Sequence, residues 1–335
     1  MLGIVFHGQR EIELATLPDP VPGPDDAIVR ITASGMCGSD LHTYRGPHID
    51  HPVVGGHEPA GVVVEVGAHV DRSWIGRHVM VHHYFGCGLC DQCRTGWTQM
   101  CRRGASAMGA QTDGSHAEFA RVPAVTLLEM PEGLSDLGAA AIGCGTGTAW
   151  GALRRLELHG SDTVAIFGQG PVGLAATQLA TAQGARVIAF DISAHRLERA
   201  TEFGAHAVVD PSVVDPVEAI QELTGGRGVP KSLETSGAST AANAALHVLD
   251  RWGTAVWVGV GSTIHFDLNE VLFRQITAKS SWTLSYNDMA ECAQFILERG
   301  VNVDALFTDR WPLTEYAKAY ELLDAQSSGK GVFLP

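Results

Sequence analysis

Apolar and polar positions alternate through the first part of the chain. Ala27, Val29, Ile31 and Ala33 interleave with Ile28, Arg30 and Thr32, the period-two pattern of a half-buried strand. Val62, Val64 and Val66 form a second such face against Val63 and Glu65. Turn clusters at Pro22-Gly23-Pro24 and Gly55-Gly56 punctuate these runs. A β-rich, barrel-like domain is expected. From about Thr163 the rhythm changes. Short apolar strands (TVAIFG, ARVIAFD, HAVVD, GTAVWVGV) alternate with helical stretches (PVGLAATQLATAQG, SAHRLERATEFG, TAANAALHVLD). Such alternation builds βαβ units and a doubly wound parallel sheet, so the chain reads as α/β. It stops between Ser281 and Tyr286, and two helix-like stretches around a short β segment follow. The expected division is 1–145, 146–284 and 285–335.

Length supports two domains, since 335 residues exceed the ~150 of a typical one. With 45% hydrophobic residues, a core forms without disulfide staples. The net charge of −14 argues against nucleic acid or an anionic membrane as partner, because both attract basic faces. No apolar run is long enough for a membrane helix, and the start, MLGIVFHGQREIEL, lacks a signal-peptide shape. A soluble cytoplasmic protein acting on a small molecule is expected.

Four of the seven cysteines, Cys87, Cys90, Cys93 and Cys101, fall within fifteen residues as C-x2-C-x2-C-x7-C. Disulfides are a poor reading for thiols so close in a chain without an export signal. Four thiolates close a tetrahedral shell around zinc and leave no open position, which makes the site architectural. An iron–sulfur cluster is the rival. The bacterial ferredoxin run, however, closes with x3 and then Pro. Here the closing spacing is seven and Arg102 follows.

Gly168-Gln169-Gly170-Pro171-Val172-Gly173 matches G-x-G-x-x-G directly after the strand TVAIF. Gly168 permits a tight turn, Gly170 lets a pyrophosphate approach the backbone, and Gly173 allows close helix–strand packing. Pro171 suits the first helical turn, and Gly184 suits the helix end. The phosphates would sit at the helix N-terminus, where free N–H groups and the dipole favour negative charge. Asp191 lies 23 residues after Gly168, at the end of the next strand. An acid there accepts hydrogen bonds from the adenosine ribose and repels a 2′-phosphate, which favours NAD, although Arg196 is close enough to help NADP.

Cys37, His57 and Cys144 remain, in the settings G-M-C-G-S-D-L-H, G-G-H-E-P-A-G and I-G-C-G-T-G. Their spacing does not establish that they converge. Together with the cysteine tetrad and GQGPVG, these stretches resemble the zinc-dependent medium-chain alcohol dehydrogenase family along essentially the whole chain. The resemblance implies a GroES-like catalytic domain, a Rossmann domain, a C-terminal return to the first, and an active site in the cleft between the domains. It implies one catalytic zinc held by Cys37, His57 and Cys144, with Glu58 as an alternating or nearby ligand, and one structural zinc on the tetrad. Ser39 and His42 would pass the alcohol proton to solvent through the cofactor ribose, and Asp40 would support His57. The polyol branch often carries a carboxylate where this chain has Cys144, so the thiolate is closer to the alcohol-dehydrogenase arrangement.

The expected activity is hydride transfer from an alcohol to NAD, with polyols, cyclitols and sugar-like secondary alcohols ahead of simple ones. A threonine-dehydrogenase-like oxidation is the alternative, and a non-catalytic cofactor-binding structural protein a remote one. His82 and His83 precede the tetrad. They read as sheet-face residues, although a histidine there would suit a hydroxylated substrate. Cys292 reads as a buried thiol. A homodimer or homotetramer joined through the Rossmann sheets is expected, with GTAVWVGVG as its edge.

Overall fold

The computed structural model describes residues 1–326 and 329–335, which form two compact units: 1–147 with 285–335, and 148–284. In the first unit a seven-stranded sheet runs in the order Leu127–Glu129, His78–Val81, Glu58–Val66, Asp26–Gly35, Lys330–Phe333 and Phe307–Trp311, with Phe119–Pro123 also on Asp26–Gly35. Leu2–Gly8 pairs with Glu11–Thr16 and Val53–Val54 in a second sheet. Ala27, Val29, Ile31, Val63, Val79, Val81 and Val122 fill the core between the strands. The last strand, Lys330–Phe333, joins Asp26–Gly35 antiparallel, so the C-terminal segment completes the sheet that the N-terminal segment begins.

Asp26–Gly35 buries the face that its alternation indicates. Glu58–Val66 does not. Val63 is in the core, whereas Val64 is exposed. The register explains the inversion: Val29 pairs with Val63 and Ile28 with Glu65, which leaves Val64 as the extra residue of a bulge. A bulge resets the phase of side chains along a strand, so uninterrupted alternation assigns the wrong face.

The second unit is a six-stranded parallel sheet in the order Ala207–Val209, Arg186–Phe190, Thr163–Phe167, Val229–Glu234, Leu249–Trp257, Thr277–Ser280. GTAVWVGV belongs to an interior strand and is not an edge, correcting the expectation above. The outer position goes to Thr277–Ser280, whose residues TAKS are too polar to stand out as a strand. Val229–Glu234 (VPKSLE) escapes an apolar-run search for the same reason, yet lies in the middle of the sheet. Ser232 donates to the Ala245 carbonyl and Glu234 Oε1 accepts from the amides of Ser236 and Gly237, while Glu234 Oε2 has no hydrogen-bond partner among the described residues. Among the described residues, no helix is long and apolar enough to cross a membrane.

The bulge makes a direct prediction. Val63→Ala should destabilise the protein by about 1–3 kcal/mol. Val64→Lys should stay within about 0.5 kcal/mol of the parent. Urea unfolding of the two variants distinguishes the faces, and the reverse ranking would refute the register.

Candidate metal and dinucleotide sites

Three segments of the first unit bring four donors to one buried point. Cys37 follows Asp26–Gly35, His57 and Glu58 open the next strand, and Cys144 ends the helix Asp136–Gly143. A sulfur from each cysteine, a nitrogen of His57 and an oxygen of Glu58 all lie within 4.8 Å of one another. The two sulfurs are 3.9 Å apart. The Cys37 thiol is held well below its usual pKa, chiefly by the hydrogen bond from Cys144, whose own pKa rises in turn. Two thiols, an imidazole and a carboxyl concentrated in this way suit a divalent cation, and borderline-soft zinc takes this donor set.

Asp40 orients the imidazole. His57 Nδ1 donates to Asp40 Oδ1 at 2.8 Å, which leaves Nε2 as the lone-pair donor to a metal. Asp40 Oδ2 accepts the Cys37 amide at 2.8 Å, tying two donors to one carboxylate. Burial opposes its ionisation, but His57 and His116 outweigh that and hold the carboxyl well below the usual range. Glu58 is fully buried, and burial pushes its pKa up to about 7 against the pull of Lys330. Lys330 Nζ reaches Glu58 Oε2 at 2.5 Å, while Oε1 has no partner among the described residues. An orphaned buried acceptor beside three donors fits a site built for a cation.

Ser39 and His42 are both exposed. Ser39 Oγ lies 3.2 Å from Cys37 Sγ and 3.2 Å from His57 Nε2. His42, on the helix Asp40–Arg45, donates its backbone amide to the Ser39 carbonyl at 3.0 Å. His82 and His83 are buried, and the His83 ring packs 5.0 Å from that of His57. His83 Nδ1 donates to the Gly143 carbonyl at 2.9 Å. Cys292 is buried.

The tetrad forms a separate, half-exposed cluster. Cys90 Sγ is 3.5 Å from Cys93 Sγ and 4.0 Å from Cys101 Sγ, and Cys87 Sγ is 4.0 Å from Cys93 Sγ. The amides of Cys93 and then Arg102 lower the Cys90 thiol to about 6. Burial pushes the Cys93 thiol up to about 12.

In the second unit, Gly168 adopts φ +83° and donates its amide to the Phe190 carbonyl. Gly170 caps the helix Pro171–Ala182, with Pro171 in its first turn, Val172 beside it, and Gly184 at φ +96° beyond its end. A Cβ on Gly173 would collide with the Gly168 carbonyl oxygen, whereas one on Gly170 meets nothing in the chain. The space above Gly170 therefore suits a ligand rather than a packing contact. Asp191 Oδ2 accepts the Gln169 amide at 2.6 Å and Oδ1 the Ser193 amide at 2.9 Å. A carboxylate has about four acceptor positions, so capacity remains for ribose hydroxyls. Arg196 Nη1 stands 3.8 Å from Asp191 Oδ2.

Residues 23–132 match the alcohol dehydrogenase GroES-like domain, and residues 171–298 match the zinc-binding dehydrogenase domain. The zinc-type alcohol dehydrogenase-like protein YphC of Escherichia coli is 33% identical, over 99% of this chain and 98% of its own. The chain belongs to the zinc-dependent medium-chain alcohol dehydrogenase family. D-arabitol-phosphate dehydrogenase of Enterococcus avium is 32% identical over 94% of this chain and 91% of its own. Sorbitol dehydrogenase of Halalkalibacterium halodurans is 31% identical over 98% and 97%. Alcohol dehydrogenase TADH of Thermus sp. ATN1 superposes with a TM-score of 0.93 at 30% identity, over 100% of this chain and 99% of its own. The protein is thus a dehydrogenase with a GroES-like domain and a Rossmann-type sheet.

The donors of both candidate metal clusters stand out in this dehydrogenase's sequence, whereas Lys330 does not. In SSGKGVFLP a lysine looks like an ordinary loop residue, and only its strand pairing carries it to Glu58.

The two glycines predict opposite behaviour. Gly173→Ala should lower stability by about 1–3 kcal/mol. Gly170→Ala should fold normally yet lose roughly tenfold or more in dinucleotide affinity, since its Cβ would occupy the phosphate approach. Thermal unfolding and cofactor titration of both variants check this. Equal melting temperatures would contradict it.

Proposed function

We propose that this dehydrogenase oxidises a secondary alcohol of a polyol, cyclitol or sugar-like substrate, with NAD as hydride acceptor. The observation that carries the reading is the convergence of Cys37, His57, Glu58 and Cys144 on one buried point, with the Ser39 hydroxyl 3.2 Å from two of their donor atoms. Cys37, His57 and Cys144 would hold a catalytic zinc, and Cys87, Cys90, Cys93 and Cys101 a structural one. Zinc, when bound, supplies the Lewis acidity that makes an alcohol easier to deprotonate near neutral pH. The nicotinamide supplies the hydride acceptor.

The chain's own groups then have distinct tasks. Asp40 fixes the His57 tautomer. Ser39 Oγ would accept the substrate proton as it gives up its own, since a hydroxyl both accepts and donates, and exposed His42 would pass a proton on to water. Lys330 holds Glu58 by an ion pair, which leaves Glu58 near the donors without committing it to them. Gly168, Gly170, Pro171, Val172 and Gly173 receive the pyrophosphate, and Asp191 the ribose. A carboxylate there disfavours a 2′-phosphate, which supports NAD over NADP despite Arg196. Support for a hydroxylated substrate comes from the two polyol-type relatives and from the polar wall of His82 and His83 beside His57. The seven unpaired thiols suit a reducing compartment such as the cytoplasm.

The test is cofactor reduction by the zinc-loaded protein across simple alcohols, linear polyols, cyclitols, sugars and threonine, each with NAD and with NADP. Turnover should concentrate among the polyhydroxylated substrates, at least tenfold faster in kcat/KM with NAD. Concentration on threonine, or a preference for NADP, would overturn the corresponding assignment. Cys144→Ser should lose most of the turnover and close to one equivalent of zinc. Full retention of both would remove Cys144 from the site.

A second copy of the chain is the expected partner. The edge strand Thr277–Ser280 is largely exposed, and Phe273 and Trp282 nearby are 76% and 54% exposed. Unpaired edges with exposed apolar neighbours suit pairing with a like edge. Sedimentation should give a dimer or tetramer. A monomer at micromolar concentration would refute the assignment.

A further inference from the structure

His116 lies in the loop before Phe119–Pro123 and is completely buried. Its Nδ1 is 2.8 Å from Ser34 Oγ, which is 2.7 Å from Ser115 Oγ. Its Nε2 is 2.9 Å from the hydroxyl of Tyr320, a fully buried residue 204 positions further on. The backbone around it grips the turn that carries His57. The amide of Ser115 donates to the Gly56 carbonyl at 3.0 Å, and that of His116 to the Gly55 carbonyl at 2.8 Å. Gly56 has φ +85°, and a Cβ there would collide with the His116 ring. The same Nε2 lies 3.8 Å from Asp40 Oδ2, too far for a hydrogen bond but close enough for the ring's dipole to act on the carboxylate. Asp40 in turn holds both His57 and the Cys37 amide.

The surroundings are otherwise apolar and aromatic. Ile4, Phe6, Tyr44, Tyr320 and Phe333 share one cluster, and the Phe333 ring is 4.8 Å from that of His116. A phenylalanine pair would fill this space without the desolvation cost of an imidazole and a phenol. The polar groups are instead hydrogen-bonded to one another, with Asp40 Oδ2 3.8 Å from the imidazole.

We infer that His116, held by Ser34 and Tyr320, is a positioning residue for the open metal site, fixing both the Gly55-Gly56-His57 turn and the Asp40 carboxylate that orients His57. The inference rests on reading Cys37, His57 and Cys144 as metal ligands. Partners one layer behind metal ligands typically change affinity by about 10–100-fold when removed.

Zinc titration against a chromogenic chelator tests the idea in the wild type, His116→Phe, His116→Gln and Tyr320→Phe. Cysteine alkylation with mass spectrometry assigns each release event to Cys37 and Cys144 or to the tetrad. The tetrad is an internal control, because among the described residues the His116 network bonds to Ser34, Ser115 and Tyr320 and not to its cysteines. His116→Phe should weaken zinc at the open site by about tenfold or more and leave the tetrad unchanged. His116→Gln, which keeps a donor and an acceptor, should recover part of the loss, and Tyr320→Phe should show a smaller loss at the same site. Unaltered affinity at the open site, or a parallel loss at both sites, overturns the positioning role. If His116→Phe does not fold, Tyr320→Phe, which removes one oxygen, decides by the same criterion. A wild type that takes up only one equivalent, on the tetrad, overturns the metal reading itself and is distinct from either result.

Discussion

Burial of ionisable donors is the constraint around which the β-rich unit is arranged. Cys37, Asp40, Glu58 and Cys144 occupy a region with little access to water, where like charges repel strongly and an unpaired anion is costly. Each donor is consequently tied to something. Asp40 holds His57 and the Cys37 amide, Glu58 faces Lys330, and the two thiols share a hydrogen bond. The late strand Lys330–Phe333 gains a second purpose from this. Its pairing with Asp26–Gly35 closes the sheet and also delivers the ammonium group to Glu58.

The two sulfur-bearing clusters solve different problems. The tetrad draws its four thiols from one short segment, and backbone amides direct into the sulfurs, so local geometry nearly suffices. The other set takes its donors from three separate segments and depends on sheet register to bring them together. A site assembled in that way needs support behind the donors, and Asp40 is where that support enters. Four thiols suit a closed shell around a structural ion, and a mixed set of thiols, imidazole and carboxyl suits a site with an open position.

In the second unit the decisive constraint is steric. The tight turn at Gly168 brings its carbonyl against Gly173, and no side chain fits between them. Gln169 then donates its amide to Asp191, so the glycine turn and the acid at the end of the next strand are linked through one short hydrogen bond. Polar Val229–Glu234 lies beside the strand that leads into this loop, with backbone groups satisfying its buried Ser232 hydroxyl and Glu234 Oε1.

The sequence by itself determined the features set by short-range chemistry. These are the α/β succession, the cysteine tetrad, the glycine turn with its proline and acid, and the identities of Cys37, His57, Glu58 and Cys144 as candidates. Each depends on spacing within one or two elements, and residue type and periodicity report that directly. Tertiary structure alone decided the phase of Glu58–Val66, because a bulge adds a residue without changing composition. It decided the strand order, where TAKS and VPKSLE became strands through pairing rather than hydrophobicity. It also decided the roles of Lys330, His116 and Tyr320. Their partners lie tens to hundreds of positions away, and a hydrogen bond or ion pair across such distances exists only once the sheet has closed.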